Sequence, residues 1–361
     1  MALLILNFPP NFNFGIDWMS WTVGEKFSGV ANVPDGVHFI YWSAKEQRGS
    51  DCSIRSGTFL HFDINQIHVW TWDTETEMLV PLSEDAAVPY QEGASRHEFD
   101  ATLGPYPVEH QEKWSSLTKH LKRSTMERLS PVAPSTGPST GGANSNTLSS
   151  SGRSFYTTLP GRRPQPIKSS STTTALTPSD ITKYAFDRTQ ALSEVLQSLR
   201  PHCGEERSEE RSEERSEERS EERGETGIVS AMFDLLGELE YSFIQFVVGQ
   251  SEDGLEQWKN VVDLVCRCED AMGGRAAVNY PVIPVKCFEH VHEMLTVQLM
   301  EVPEDFFAGD LSSNNFLKPA LSSFFQLWSM DSERRNVLLE LTRARFGWDI
   351  SAEEEDDLFG M

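Results

Sequence analysis

Cysteine is scarce in this chain: Cys52, Cys203, Cys266, Cys268 and Cys287 are five in 361 residues, an odd number. So few cannot make a disulfide framework, and they read as reduced thiols of an intracellular protein. Long apolar runs are missing as well. None approaches the roughly 18 residues of a membrane span. The opening Met1–Leu6 has neither the basic start nor the length of a secretory leader, and no Asn-x-Ser/Thr sequon occurs. Basic residues are outnumbered, 31 Lys plus Arg against 55 Asp plus Glu, for a net charge of -24. A surface of that sign repels phosphate backbones, which argues against direct nucleic-acid binding. Nucleotide and acyl-transfer signatures lack their setting too. The Gly-x-Ser-x-Gly spacing at Gly137–Gly141 falls among linker glycines with no strand before it and is no elbow, and there is no Gly-x-x-x-x-Gly-Lys and no Gly-rich turn between strand and helix. The expectation is a soluble protein of the nucleus and cytoplasm, without a cofactor.

What is present divides along the chain. Hydrophobic residues make up only 38%, yet there are 21 Phe and 9 Trp, so some segments must hold a dense core while others hold none. Residues 1–104 read as a β-rich domain. Val37–Trp42 is β-branched and aromatic after the turn signal Pro34-Asp35-Gly36. Thr58–Phe62 and Ile67–Trp72 are two further strands, joined by Asp63–Gln66 as a hairpin. Short strands at this spacing suggest an antiparallel sandwich or barrel. From 105 to 130 the period becomes helical, with Trp114, Leu117 and Leu121 on one face of a helix over 108–123. A second short helix starts at Ser124, with Glu127 completing a capping box.

Residues 131–176 are Ser, Thr, Pro, Gly and Asn almost throughout and read as a disordered linker. A helical domain over 177–350 opens with the cap Thr177-Pro178-Ser179-Asp180. Within it, Glu-Glu-Arg-Ser recurs through 205–223. That repeat places like charges at i and i+4, which disfavours a helix and predicts disorder. Ser208, Ser212, Ser216 and Ser220 each stand after Arg and before two Glu, the context of candidate phosphorylation sites. Helical patterning resumes with Phe233, Leu236, Leu239, Phe243, Phe246 and Val247 around a central helix. Four more helices follow, after Ser251, from Val285, from Asn315 and from Ser332, the last ending at Gly347. An acidic tail covers 351–361. The acid is concentrated late: residues 224–361 hold 9 basic and 25 acidic residues.

Candidate chemistry is thin. Cys266, Cys268, Cys287, His290 and His292 have metal-ligating side chains, but on helices both the Cys and the His pair are spaced i and i+2, pointing about 200° apart. Buried thiols and partly exposed imidazoles are the plainer reading. Asp17, Ser20 and His38 could form a triad, but nothing supplies an oxyanion hole or an orienting group. Glu75 and Glu77 are spaced for one solvent-facing side of a strand. Lys113, Lys119, Lys122 and Arg123 beside Trp114 could touch RNA, though a solvated helix face suffices.

Certain strings are more particular. Gly15-Ile16-Asp17, Ser20-Trp21, Val23-Gly24, Lys26-Phe27 and Gly29-Val30 lead to Pro34, Gly36 and His38-Phe39. Further on come Leu103–Pro107, Lys113-Trp114, Ser116–Thr118, Ile181–Lys183, Leu235–Leu239 and Glu256–Lys259. Pro303–Phe307, Asn315–Leu317 and Phe346-x-Trp348-Asp349 complete the series. In this order they resemble the A1-alpha2 repression factor family, splicing factors that assemble the U5 small nuclear ribonucleoprotein. The resemblance implies an α+β multidomain fold: an N-terminal antiparallel β-sandwich, disordered linkers and a C-terminal all-α domain like the VHS domains. It implies a non-enzymatic chaperone, monomeric before binding. Its partner would be pre-mRNA-processing factor eight, bound at the RNase H-like and neighbouring domains, with the mature-particle helicase held off until a phosphorylation-linked release. An acidic, aromatic-rich protein suits a basic RNA-handling partner. The chain departs from the family in lacking a short N-terminal extension, in carrying Gly273–Val285 as an added link, and in its repeat. The competing expectation is a VHS-type trafficking adaptor that binds acidic sorting peptides, against which the lack of a lipid-binding basic stretch counts.

Overall fold

The structure, a computed structural model, describes residues 1–44, 55–130, 154–159, 188–200, 214–272, 282–307, 316–327, 332–348 and 350. Cys52, Cys203, Ser208, Ser212, the cap at 177–180, Gly273–Pro281 and the tail 351–361 lie outside the described residues. The chain divides into two compact units: Met1–Tyr156 with Glu240–Gly254, and Thr157–Leu239 with Leu255–Met361.

The first unit is built on two sheets. One has the order β8-β7-β1-β4-β9, from Met78–Pro81 (β8), Ile67–Asp73 (β7), Ala2–Leu6 (β1), Gly29–Ala31 (β4) and Gly104–Pro105 (β9). The other has the order β3-β2-β5-β6, from Met19–Thr22 (β3), Asn13–Ile16 (β2), Gly36–Ser43 (β5) and Ser56–Phe62 (β6). Leu3, Ile5, Trp70 and Trp72 of the first sheet share one core with Phe14, Ile16, Ile40, Trp42 and Phe62 of the second. That is the expected two-layer arrangement, with two refinements. β1 pairs β7 in parallel and β4 pairs β9 in parallel, so the first sheet is mixed. And β6 and β7 belong to different sheets, so Asp63–Gln66 is a crossing between layers rather than a hairpin. The link still turns tightly, with the Gln66 N–H donating to the Asp63 carbonyl at 2.9 Å and Asn65 at φ 65.

A helix the sequence reading did not contain, Glu84–Ser95 (α1), covers the outer face of the first sheet, where Leu4, Val69 and Ala87 form a second small cluster. Burial on both faces explains why β1 reads as the unbroken apolar run Ala2-Leu3-Leu4-Ile5-Leu6 rather than as alternation. α1 escaped notice because Pro89 and Gly93 stand inside it, and both are breaker signals. A Cβ at Gly93 would sit 3.0 Å from Glu98 and Phe99 side-chain atoms, a tight fit that a larger residue could make only by shifting them.

After the sheets come Gln111–Leu117 (α2) and Arg123–Leu129 (α3). The single helix expected over 108–123 is therefore broken at 118–122. The capping box at Ser124 is corrected as well: α3 begins at Arg123 without a side-chain cap, and Glu127 instead binds Arg123 Nε at 2.7 Å.

In the second unit Thr189–Leu199 (α4) buries Ala191, Leu192, Val195 and Leu196. Glu214–Val247 (α5) supplies its turns up to Leu239 to this unit and its last turns to the first. Every residue from Leu235 to Ile244 is buried; of the apolar residues expected around this helix, Leu236, Leu239 and Phe243 are buried and Phe233, Phe246 and Val247 are half-buried. The backbone of Glu214–Arg223 belongs to α5, so the second half of the repeat is helical where disorder was expected. Glu and Arg are strong helix formers, and extending a helix already nucleated by its apolar half costs little. Next come Glu252–Cys266 (α6), Glu269–Met272 (α7), Val285–Glu301 (α8), Leu317–Leu327 (α9) and Ser332–Phe346 (α10). Trp258 on α6 is wholly buried and donates its indole N–H to Gln298 Oε1 at 2.8 Å. α10 stops where Gly347 takes φ 68 and its N–H reaches the Arg343 carbonyl at 3.1 Å.

Candidate functional site

Of the three residues considered as a triad, the fold brings two together. Asp17 lies in the turn from β2 to β3 with φ 54, a conformation Asp tolerates better than most residues. Its main chain is fixed by β5, through the Asp17 N–H to the Phe39 carbonyl at 2.8 Å. His38 Nδ1 stands 2.7 Å from Asp17 Oδ2, with both residues buried. Tyr106 donates its hydroxyl to the same oxygen at 2.6 Å, and the Phe39 N–H donates to Oδ1 at 2.9 Å. His38 Nε2 faces the Pro34 carbonyl at 3.1 Å, so each ring nitrogen is set against an acceptor. The imidazole is enclosed by Phe62, Tyr106 and a near-parallel Trp114. Burial, and then the charge of Asp17, pushes the Tyr106 phenol far above its ordinary range, which keeps it a donor.

Such an arrangement locks rather than reacts. A general base needs one ring nitrogen free toward a substrate, and here both are engaged inside the core. Ser20 is exposed on β3 and hydrogen-bonds Tyr41. The Gly15 that separates them in the sheet must be Gly, because a Cβ would fall 2.2 Å from the Tyr41 ring.

The remaining sequence candidates also find structural places. Cys266, Cys268 and Cys287 are free and buried, and burial pushes the Cys266 thiol well up, away from reactivity. Cys268 Sγ contacts the Val265 carbonyl at 3.2 Å. His292 Nε2 donates to the Arg334 carbonyl at 3.0 Å, and burial lowers its pKa; His290 packs edge-on against Phe233. Among the described residues no group of His, Cys, Asp and Glu is arranged to hold a metal ion. Glu75 and Glu77 sit in the turn between β7 and β8, not on a strand. Trp114 points inward, 3% exposed, with its indole donating to the Val37 carbonyl at 2.8 Å. It is therefore closed to RNA, while Lys113 lies over the Trp18 ring at 3.9 Å and Arg123 binds Glu127 and Asp63. Ser216 and Ser220 lie on the helical backbone of α5.

Two residues that the sequence reading did not single out are more unusual. Glu238 and Glu240 are buried acids within the otherwise apolar part of α5. In the first unit Glu240 Oε2 accepts the His120 N–H at 2.7 Å, in the gap between α2 and α3. Burial raises its carboxyl well above the usual carboxylate range, against the opposing pull of the His120 and Leu121 amides and Lys119. Also in the first unit, Tyr241 stacks on Phe59 with ring centres 4.2 Å apart. In the second unit Glu238 receives Thr157 and Gln257. The available signal was charge inside the apolar string Leu235-Leu236-Gly237-Glu238-Leu239-Glu240-Tyr241.

Comparison with known proteins settles the relationship. A family model described as the AAR2 N-terminal domain matches residues 1–131, and a second, the AAR2 C-terminal repeat region, matches residues 165–351. The chain belongs to the AAR2 family. "Protein AAR2 homolog" of Mus musculus is 29% identical over 389 residues, covering 98% of this chain and 91% of that protein. The Homo sapiens protein of that name is 29% identical over 392 residues with the same coverage. That of Caenorhabditis elegans is 29% identical over 336 residues, covering 90% of this chain and 85% of its own. Both regions of an AAR2 protein are thus present in order, as the Gly, Trp and Pro strings implied. Gly15, Asp17, His38, Tyr106 and Trp114 from those strings are the residues that build the locked core.

Proposed function

We propose that this AAR2-family protein is a non-catalytic assembly factor of the U5 small nuclear ribonucleoprotein. It binds pre-mRNA-processing factor eight at the RNase H-like and neighbouring domains and keeps the mature-particle helicase away until release. The observation that carries this reading is the match to both AAR2 regions, in order, with most of each curated relative covered. The locked Asp17–His38 pair and the inert Cys266 thiol support a binding role over a catalytic one. The acidic excess of the chain supports a basic protein partner over nucleic acid. We place its action in nucleus and cytoplasm, as a monomer before it binds, with neither membrane nor cofactor required.

Affinity capture with the tagged full chain from nuclear and cytoplasmic extracts tests the proposal. Pre-mRNA-processing factor eight is expected as the dominant captured protein, in a complex without the helicase. Coat proteins and sorting receptors in its place would overturn the reading in favour of a VHS-type adaptor.

A further inference from the structure

Ser154–Leu159 belongs to the stretch that composition assigns to linker, yet one of its residues is held on every polar group it has. In the second unit the Thr157 N–H donates to Glu238 Oε1 at 2.7 Å and the Thr157 hydroxyl to Glu238 Oε2 at 2.6 Å. The Thr157 carbonyl accepts from Gln257 Nε2 at 3.3 Å, and the same amide braces Glu238 Oε1 at 2.9 Å. Glu238 on α5 is 0% exposed and Gln257 on α6 is 7% exposed, so both are fixed within the helical packing. Two side chains together satisfy the N–H and C=O of one residue, as a neighbouring strand does at a sheet edge. The main-chain bonds make the pair tolerant of sequence, and the hydroxyl bond adds a preference for Thr or Ser.

The occupant is held differently from the core. No residue from Ser154 to Leu159 is buried, and Phe155 is 61% exposed. Besides the bonds of Thr157, in the first unit the Phe155 N–H donates to the Leu129 carbonyl at 2.9 Å, Ser154 Oγ lies 3.2 Å from the Tyr241 hydroxyl, and Tyr156 meets the Tyr241 ring edge-on. Polar bonds and a half-buried ring, with no fully buried side chain, hold the segment against the entropy of ordering it. A segment held without a fully buried side chain is of the kind that opens locally while the core stays folded.

We propose that Glu238 and Gln257 form a binding site for an extended polypeptide segment with Thr or Ser at the position read, and that this chain fills the site in cis with Ser154–Leu159 as a releasable latch. The proposal stands apart from the splicing assignment, because its test needs no splicing protein.

The probe is a fluorescent peptide of Arg153–Pro160 added to the full chain, wild type or Thr157→Pro, which removes the latch N–H and hydroxyl together. Anisotropy is expected to show binding at least tenfold tighter to Thr157→Pro than to wild type. Adding Glu238→Ala should abolish the gain, and a peptide with Val at the Thr157 position should bind several-fold more weakly. Hydrogen exchange on Thr157→Val gives a milder reading: latch amides exchange at least tenfold faster than those of α5 and α6 in wild type, and faster still in the variant with both helices unchanged. An absence of peptide binding to folded Thr157→Pro, or binding indifferent to Glu238→Ala, overturns the proposal. So does unfolding of Thr157→Pro, or latch and helix amides that exchange together, because each makes the segment part of the core.

Discussion

The sandwich unit and the helical unit each bury a carboxylate, and they satisfy it with different kinds of partner. Asp17 is met by His38, Tyr106 and the Phe39 N–H, all contributed by the sandwich itself. Glu238 is met by Gln257 from a helix and by Thr157 from a segment without secondary structure. One carboxylate is closed in by aromatic rings, and losing any partner would leave a buried polar group unpaired away from water. The other has a partner that can leave and be replaced by water or another segment. A buried carboxyl group therefore reports rigidity in the first unit and a point of opening in the second, and the difference lies in what surrounds the donors, not in how many there are.

The strongest challenge to that contrast is to compare the helical core directly with the sandwich lock. Trp258→Ala removes a wholly buried indole and leaves Gln298 Oε1 without its donor, and about 3–5 kcal/mol of stability is expected to be lost. Asp17→Asn takes away the carboxyl oxygen that His38 and Tyr106 share, with a loss of about 3–5 kcal/mol, as for a broken buried pair. Tyr106→Phe removes one donor only and should cost about 1.5–3 kcal/mol. Denaturant unfolding of the purified variants checks all three. Should Asp17→Asn keep wild-type stability, the sandwich lock is no more rigid than the latch, and the contrast fails.

Glu240 sharpens the comparison from a different side. The native state favours its protonated form, so between the ordinary carboxylate range and the raised folded value the native chain binds more protons than the unfolded chain. That contribution to stability is present at low pH and is lost as pH rises through the window. Glu240→Gln keeps an acceptor for the His120 and Leu121 amides and carries no charge. It is expected to melt above wild type at pH 8, with the gap shrinking toward pH 5. A gap that widens on acidification would show that the ionised carboxylate, not the neutral acid, is the form the fold prefers.

How much of this could be read in advance depended on whether a pattern was local. β5, β6 and β7 were legible because β-branched and aromatic residues fill them, and α8, α9 and α10 because their apolar residues recur at helical spacing. α1 was not legible, since its propensity is poor and only packing on Leu4 and Val69 makes it a helix. The assignment of β6 and β7 to separate sheets depends on pairing with distant strands, which Asp63–Gln66 cannot signal. At the site, Asp17 and His38 stood out in the sequence only as members of a triad with Ser20 that was set aside, and their pairing, like the roles of Tyr106, Trp114 and Pro34, follows from tertiary placement alone. Glu238 and Thr157 stand 81 positions apart, a separation no local pattern spans.

The smallest effect is expected from the Glu-Glu-Arg-Ser repeat. We propose Ser208, Ser212, Ser216 and Ser220 as modification sites, each set between Arg and a pair of acids. Four phosphates would add about -6 to -8 of charge to a segment holding 10 Glu and 5 Arg. If the repeat touches nothing, that charge acts on a partner only through solvent and is screened within about 8 Å at physiological salt. Four Ser→Glu changes should then alter affinity for pre-mRNA-processing factor eight modestly at low salt and not at all at high salt. The direction of the low-salt change identifies the surface nearby: tighter binding places a basic partner face beside the repeat, and weaker binding places acid there. A loss of affinity that persists at high salt would mean that the serines sit within the interface, and the repeat would then be a direct contact rather than a distant field.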